Sequence, residues 1–547
     1  MRSWFVGVVA RVALGTGLAL GIGLLPGAVL PNAGAMAASF RFAGQQDVAT
    51  MDPDMVDETF TTNFLAAIYE PLVRRGRGLE IEAALAERWE QVEPTRWRFH
   101  LRQDVKFHDG TAFTAADAAF ALERARKPGS QMVNRVANIA SVQVVDPLTL
   151  DVVTRTPDPT LLANLTAVLV MPKAWSEAHG AADPINLKDA KENFAAQHAI
   201  GTGPFMLQSR EAGARTVLRA NPDWWDKPQH NLDTATYTPI QNDATRVAAL
   251  LSGEVDMIDP VPLQDQARVK ADQDLVLLTG PELRVVFLGM DQFRPELLYG
   301  SVKGSNPFKD VRVRRAFYAA IDVWALKDRV MGGQSQPVAQ IAAPGIVGYD
   351  PNLPPHGKAD LDVARKLLEE AGYGDGFTLD MNCPAGRYVN DERICQAIAV
   401  MLARIKVQVH VVTQPPAAYF GRLARRDTSF YMLGTTPPTY DAYSTVFGLM
   451  VCPKDLLDGR PALVPGGGAF NGGGYCDPET DQLTAAAASE FDKEKRTQDF
   501  AQIWQRLADQ VGYIPLHQQG LSWGVRKGID VVQRPDDVLD LRYVRMP

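Results

Sequence analysis

Only one stretch of this sequence is both long enough and apolar enough to cross a lipid bilayer, and it stands at the very beginning. Residues 12–30 are rich in Gly, Ala, Val and Leu, and Arg2 and Arg11 are the only charges in the first 37 residues. Pro31-Asn32-Ala33-Gly34-Ala35-Met36-Ala37 follows. A basic start, an apolar middle and an A-x-A arrangement of small residues make a secretory leader, with the mature chain expected from Ala38. The same run could in principle serve as an uncleaved anchor. Pro26, Pro31 and the small residues suit a peptidase site better. No Cys stands near that site to take a lipid. Beyond residue 37 no apolar run approaches membrane length, so the remainder is expected to fold in water.

That remainder is too long for one core, because single hydrophobic cores stop growing at about 250–300 residues. Two or three domains are expected from the 547 residues. Apolar residues make up 46% and charged residues 22%, ordinary values for a globular chain. The formal charge of −8 leaves no basic footprint for nucleic acid. No repeat at a period of about 20–50 residues is visible.

Strand and helix periods alternate along the mature chain. Trp97, Phe99 and Leu101 alternate with polar residues, Val105 and Phe107 follow, and Asp109-Gly110 makes a turn. Thr114 with Asp117 three residues on opens a helix. Residues 142–145 and 148–153, joined by Asp146-Pro147, read as a hairpin. Asp360 caps a helix whose stripe is Val363, Ala364, Leu367, Leu368 and Ala371, and Gly372 ends it. Helical spacing recurs over 391–405, and again in Val313, Phe317, Ile321 and Trp324. The fold class is therefore α/β.

Four cysteines, Cys383, Cys395, Cys452 and Cys476, are an even number in an exported chain, which favours disulfides over metal. Cys452 and Cys476 bracket a glycine-rich loop with no core of its own. A bond there is expected to stabilise by about 3 kcal/mol. Pairing of Cys383 with Cys395 is left open. A search for catalytic chemistry finds no G-x-S-x-G, no H-E-x-x-H, no phosphate loop, and eight scattered histidines. A secreted hydrolase therefore remains only as a rival reading, and no cofactor or metal is expected.

Several segments, in order, carry a resemblance. They are Met51-Asp52-Pro53, Tyr69-Glu70-Pro71-Leu72-Val73, Leu85-Ala86-Glu87-Arg88-Trp89 and Trp97-Arg98-Phe99-His100-Leu101-Arg102. Val105-Lys106-Phe107-His108-Asp109-Gly110, Gly201-Thr202-Gly203-Pro204-Phe205, Asn221-Pro222-Asp223-Trp224-Trp225 and Asn306-Pro307-Phe308-Lys309-Asp310 continue the series. Together they resemble family 5 of the extracytoplasmic solute-binding proteins, which contains peptide, nickel and opine receptors. Each also has a bland reading: glycines for tight backbone geometry, tryptophans in a packed turn, and Arg312, Arg314 and Arg315 in helix-face ion pairs.

The resemblance implies a periplasmic binding protein of type II-like fold, with two lobes, a hinge and an extra domain in the first lobe. Lobe I would span 38–72, 197–283 and 512–547, the inserted domain 73–196, and lobe II 284–511. The crossings would be 285–290 and 514–517. It implies a monomeric periplasmic receptor that clamps a solute and delivers it to an ABC permease in the inner membrane. The solute would be peptide-like, or a non-peptide anion such as an opine or sugar-phosphate conjugate.

Three regions would hold it. The first is Glu58, Thr59 and Phe60, where a threonine could equally cap a helix. The second is the loop carrying Arg387, a forked donor for carboxylate or phosphate, and Tyr388. Asn390 or Asp391 would cap the helix that follows. The third is Thr435, Thr436, Pro438, Tyr440 and Asp441. Peptide receptors of the family place a Trp and an amine-binding Asp where this chain has Thr435 and Pro438, while Asp441 matches a later acidic position. The resemblance thus implies a solute not held by a free α-ammonium group.

Overall fold

The computed structural model describes residues 38–186, 192–355 and 357–547, so the expected leader lies outside the described residues. The strands in chain order are β1 (Ser39–Gly44), β2 (Val73–Arg75), β3 (Ile81–Ala83), β4 (Ala86–Glu93), β5 (Arg96–Leu101) and β6 (Ile139–Asp146). Next come β7 (Thr149–Thr154), β8 (Phe205–Glu211), β9 (Arg215–Ala220), β10 (Thr234–Pro239), β11 (Met257–Asp259) and β12 (Leu275–Met290). The last are β13 (Gln336–Pro337), β14 (Phe377–Pro384), β15 (Val407–Gln414), β16 (Phe430–Thr435) and β17 (Tyr513–Arg526).

One sheet runs β15-β14-β16-β12-β17-β11-β1-β10-β9-β8, with β13 also against β17. Its centre is the antiparallel pair of β12 and β17, in register from Leu275↔Arg526 to Gly289↔Tyr513. On its far edge β12 pairs with β16 only from Val285 to Met290, whereas β17 pairs with β11 only at Gly524 and Val525. The two ends of this ribbon thus belong to different halves of the sheet. Between them the ladder breaks, with register shifts after Pro281 and after Val286. A bulge of this kind bends the strand and re-aims its side chains. Here it releases Glu282 and Arg284 from an otherwise apolar strand.

Each half has its own core. Phe40, Phe205, Tyr237 and Trp523 centre one. Val286, Phe317, Ile394, Phe430 and Ile514 centre another. A separate antiparallel sheet, β4-β5-β7-β6, packs Phe99, Leu122 and Leu150 into a third cluster. The hairpin of β2 and β3 stands apart from both sheets.

The local expectations fare well where a side chain fixes the backbone. The helix Ala115–Ala125 starts at a capping box of Thr114 and Asp117. Asp360 accepts from the Val363 amide to open the helix Leu361–Glu370. Two details differ. Val363 is 46% exposed, so the buried stripe narrows to Ala364 and Leu368. The helix Val311–Ala320 stops short of Trp324, because Ile321 turns extended and the Asp322 carboxylate caps a new turn at the Ala325 amide.

The resemblance motifs explain one another. A Cβ at Gly201 or Gly203 would lie 2.1 or 2.6 Å from the Ile68 carbonyl oxygen, so only glycine admits this approach. The indoles of Trp224 and Trp225 both donate to the buried Glu70, at 3.3 and 2.6 Å. Arg312 pairs with Asp310. Arg314 instead is buried and donates to the Gln510 and Phe308 carbonyls. Cys452 is bonded to Cys476 and Cys383 to Cys395.

Candidate functional site

At the broken ladder the β12 backbone carries a buried acid and a partly buried base. Glu282 takes the Arg284 Nε at 2.8 Å and the Gln519 Nε2 at 2.6 Å. The other end of the Gln519 side chain receives the Val389 amide at 3.0 Å, tying β17 to the loop after β14. Burial opposes the Arg284 charge, but Glu282, Tyr388 and Asp537 together raise its pKa above the ordinary arginine value. Its side chain keeps 17% of its surface accessible. Its two terminal nitrogens donate to no acceptor among the described residues.

Arg387 faces the same place from the loop after β14, where Arg284, Glu282 and Glu58 all act on its charge. The Asp391 carboxylate receives the amides of Gly386, Arg387 and Tyr388 at 3.2, 2.8 and 3.1 Å, folding the loop into a tight cradle. Gly386 makes the turn at φ +81°. The Tyr388 hydroxyl donates to the Gly434 carbonyl at 3.2 Å and accepts the Gly434 amide at 2.9 Å. Tyr388 is therefore a buried strut, and the Arg387 guanidinium lies 5.3 Å from its ring. Burial lowers the Arg387 pKa and neighbouring Arg284 lowers it further, against Tyr388, Glu282 and Glu58. Its side chain is exposed all the same. A guanidinium partly desolvated, repelled by another, exposed and without an acceptor among the described residues is poised for an anion.

Two of the other expected contacts are tied to this pair, Glu58 by its charge acting on Arg387 and Thr435 by its register beside Arg284. Glu58, rather than a threonine, caps the helix Thr59–Leu65, accepting from the Phe60 and Thr61 amides at 2.9 Å. Thr59 is exposed, and Phe60 packs 5.2 Å from Tyr237. Thr435 ends β16 opposite Val285. The Thr436 hydroxyl is buried with no partner. Pro438 is exposed and its carbonyl accepts from Arg135 at 3.2 Å. The Tyr440 hydroxyl donates to Asp536 at 2.8 Å. Asp441 caps the helix Ala442–Leu449 and holds buried Arg496 through both oxygens, so its carboxylate is already taken. Asn390 adopts a left-handed φ of +55° and makes no side-chain cap, so Asp391 does its work backwards, into the loop.

Two further carboxyls stand on the first half. Asp537 accepts the Trp523 indole at 3.0 Å. Burial, then Asp259 and Glu282, raise its pKa well above the carboxylate range. Burial also raises that of Asp259, with Arg246 opposing and Glu282 adding. Arg284, Glu282, Asp259 and Asp537 were not singled out in the sequence. A readable signal existed for the first two: opposite charges two positions apart in a strand otherwise without charge.

The strands form two half-sheets that share a ribbon, and known proteins share this fold. HbpA2 from Haemophilus parasuis superposes with a TM-score of 0.76 at 24% identity, covering 93% of this chain and 100% of that one. AgaA in complex with agropinic acid, from A. tumefaciens R10, gives 0.73 at 24% over 93% and 99%. Both show the fold, that of type II-like periplasmic binding proteins. The glutathione-binding protein GsiB of Salmonella typhimurium is 27% identical over 368 residues, 66% of this chain and 67% of that one. The family model for bacterial extracellular solute-binding proteins, family 5 (middle), matches residues 80–454. The protein belongs to that family, whose members bind solutes for ABC importers and are not enzymes.

Proposed function

We propose that this receptor captures a small acidic solute, gripping its carboxylate or phosphate between Arg284, at the joint of the ribbon, and Arg387, in the loop after β14. The observation that carries the reading is the pair of guanidiniums, mutually repelling and without acceptors for their terminal nitrogens among the described residues. An anion would complete both. The two half-sheets act as lobes over 38–72, 197–283 and 512–547 and over 284–511, with 73–196 inserted in the first. Support comes from β12 and β17, which each pass through both halves. A solute touching both lobes favours the closed form by its differential contacts. The relatives named for glutathione and agropinic acid bind solutes that carry carboxylates, in keeping with such a pair. Thr436 lines the approach, while Glu58, Tyr440 and Asp441 shape it from outside through their own hydrogen bonds. The receptor is exported by its leader, acts as a monomer at an inner-membrane permease, and binds no nucleic acid.

Calorimetry with reduced glutathione, with the same peptide amidated at both carboxyls, and with a sugar phosphate tests the charge requirement. Removing one partner of a desolvated charge pair costs about 2–5 kcal/mol. Arg387→Ala and Arg284→Ala are therefore each expected to weaken the acidic ligand at least thirtyfold. Equal binding of the amidated form would overturn the reading. Native mass spectrometry of protein secreted by its own host identifies the natural solute directly.

A further inference from the structure

We infer that the hairpin of β2 and β3 is a latch that holds the two halves together, with Arg75 and Leu79 as its gripping residues. This rests on the clamp reading above and concerns how the clamp is held, away from the solute. Arg75, at the end of β2, donates one terminal nitrogen to the Leu79 carbonyl at 2.8 Å. The other goes to the Thr439 carbonyl, across the chain, at 2.7 Å. Its guanidinium lies 4.6 Å from the Tyr440 ring centroid. Leu79, 9% exposed, belongs not to the core of its own region but to that of the second half, with Leu283, Val285, Ile341 and Trp504.

Both partners of Arg75 are held in backbone conformations that side chains of their kind avoid. Leu79 has φ +69° and Tyr440 φ +55°. For bulky residues such values are outliers, which persist only where surrounding contacts impose them. Here the imposing contacts lie on opposite sides of the junction and meet at one arginine. Two more bonds reinforce it. The Tyr440 hydroxyl reaches Asp536 of the C-terminal segment at 2.8 Å. Arg135, paired with Asp57 at 2.7 Å, reaches the Pro438 carbonyl at 3.2 Å. The segment 438–441 is thus gripped by protein from three directions.

All these contacts are protein to protein, so they bias closure whether or not solute is present. The latch would therefore set how much of the closed form exists before binding, and so the apparent affinity for every solute alike. The hydrogen bond and the cation–π contact of Arg75 together are expected to shift the closed-to-open ratio about tenfold, and the apolar anchor to add to that.

The four native cysteines are paired, so spin labels can be placed at Val145→Cys and Val400→Cys, both exposed, the first on β6 of the separate sheet and the second on the helix Asp391–Ala403 of the second half. Distance distributions are compared for the ligand-free parent, Arg75→Ala, and Arg75→Ala with Leu79→Ser. Arg135→Ala, which leaves the hairpin intact, covers the case of a misfolded hairpin. The longer distance is expected to gain about tenfold in weight over the shorter in Arg75→Ala, more in the double variant and less in Arg135→Ala. Distributions that match the parent in all three overturn the latch. Adding reduced glutathione separates the two ideas. A parent that shortens while the variants still match it keeps the clamp and sinks the latch. A single fixed distance throughout sinks both.

Discussion

Asp441 shows how one carboxylate can be read two ways, as a solute ligand by its place in the loop and as a structural ion by its partners. Its pairing with Arg496 is buried on both sides, with 9% and 6% of the side chains accessible. Breaking such a pair strands a charge in the interior, a loss of about 3–5 kcal/mol. Asp441→Ala is accordingly expected to lower the denaturant midpoint strongly, with Arg496→Met partly restoring it in the double variant. An Asp441→Ala protein of parental stability that had lost solute binding would return Asp441 to the solute. Pro438 poses the complementary question. With no carboxylate at that position, a dipeptide and its N-acetyl form are expected to bind within a few-fold. If the free amine wins by more than about thirtyfold, roughly 2 kcal/mol, Asp259 and Asp537 are the acids that hold it.

The same two carboxyls give the molecule a pH signature. Both have folded pKa values above those of the unfolded chain, chiefly through burial, with Glu282 raising both and Asp259 raising Asp537. A raised carboxyl contributes stability that is fully present below the unfolded value and lost as pH rises through the folded one. Asp537→Asn stays neutral and can still accept the Trp523 indole. It is expected to leave stability near pH 4 unchanged and to raise it near pH 8 by on the order of 1 kcal/mol. Thermal scans at the two pH values check this, and an equal effect at both would refute it. None of this was legible beforehand, because Asp259 and Asp537 are 278 residues apart in sequence and come together only in the fold, beside Trp523.

Elements were more legible than contacts. Where a short-range bond sets the backbone, as at Thr114 with Asp117 or at Asp360, the sequence marked the helix start. Where tertiary packing decides, it misled: the periodic set reaching Trp324 suggested one helix that Asp322 in fact divides. The pairing of Cys452 with Cys476 was foreseen from the coreless loop between them, and the structure adds that the Cys452 amide is also held by Asp481 at 3.0 Å. Replacing both cysteines by serine is expected to cost about 3 kcal/mol, with faster hydrogen exchange confined mainly to 453–475. Arg387 was picked out by residue type, yet its partner Arg284 was not. What aims Arg284 is a slip in the ladder, which no one-dimensional pattern displays.

For the whole molecule, export can be weighed directly: the mass of the secreted chain is expected to begin at Ala38, within two or three residues, and an intact Met1 would contradict it. The shared ribbon has a consequence of another kind. Because β12 and β17 are strands of both half-sheets, neither half keeps its central pair once the other has melted. Subglobal units separate only where few bonds join them. Calorimetry should therefore show one endotherm for both halves, where two would betray independent folding. Robustness becomes common property. A cavity cut beneath Phe430 should lower the temperature at which β1 and β10 part, although they lie at the opposite end of the sheet.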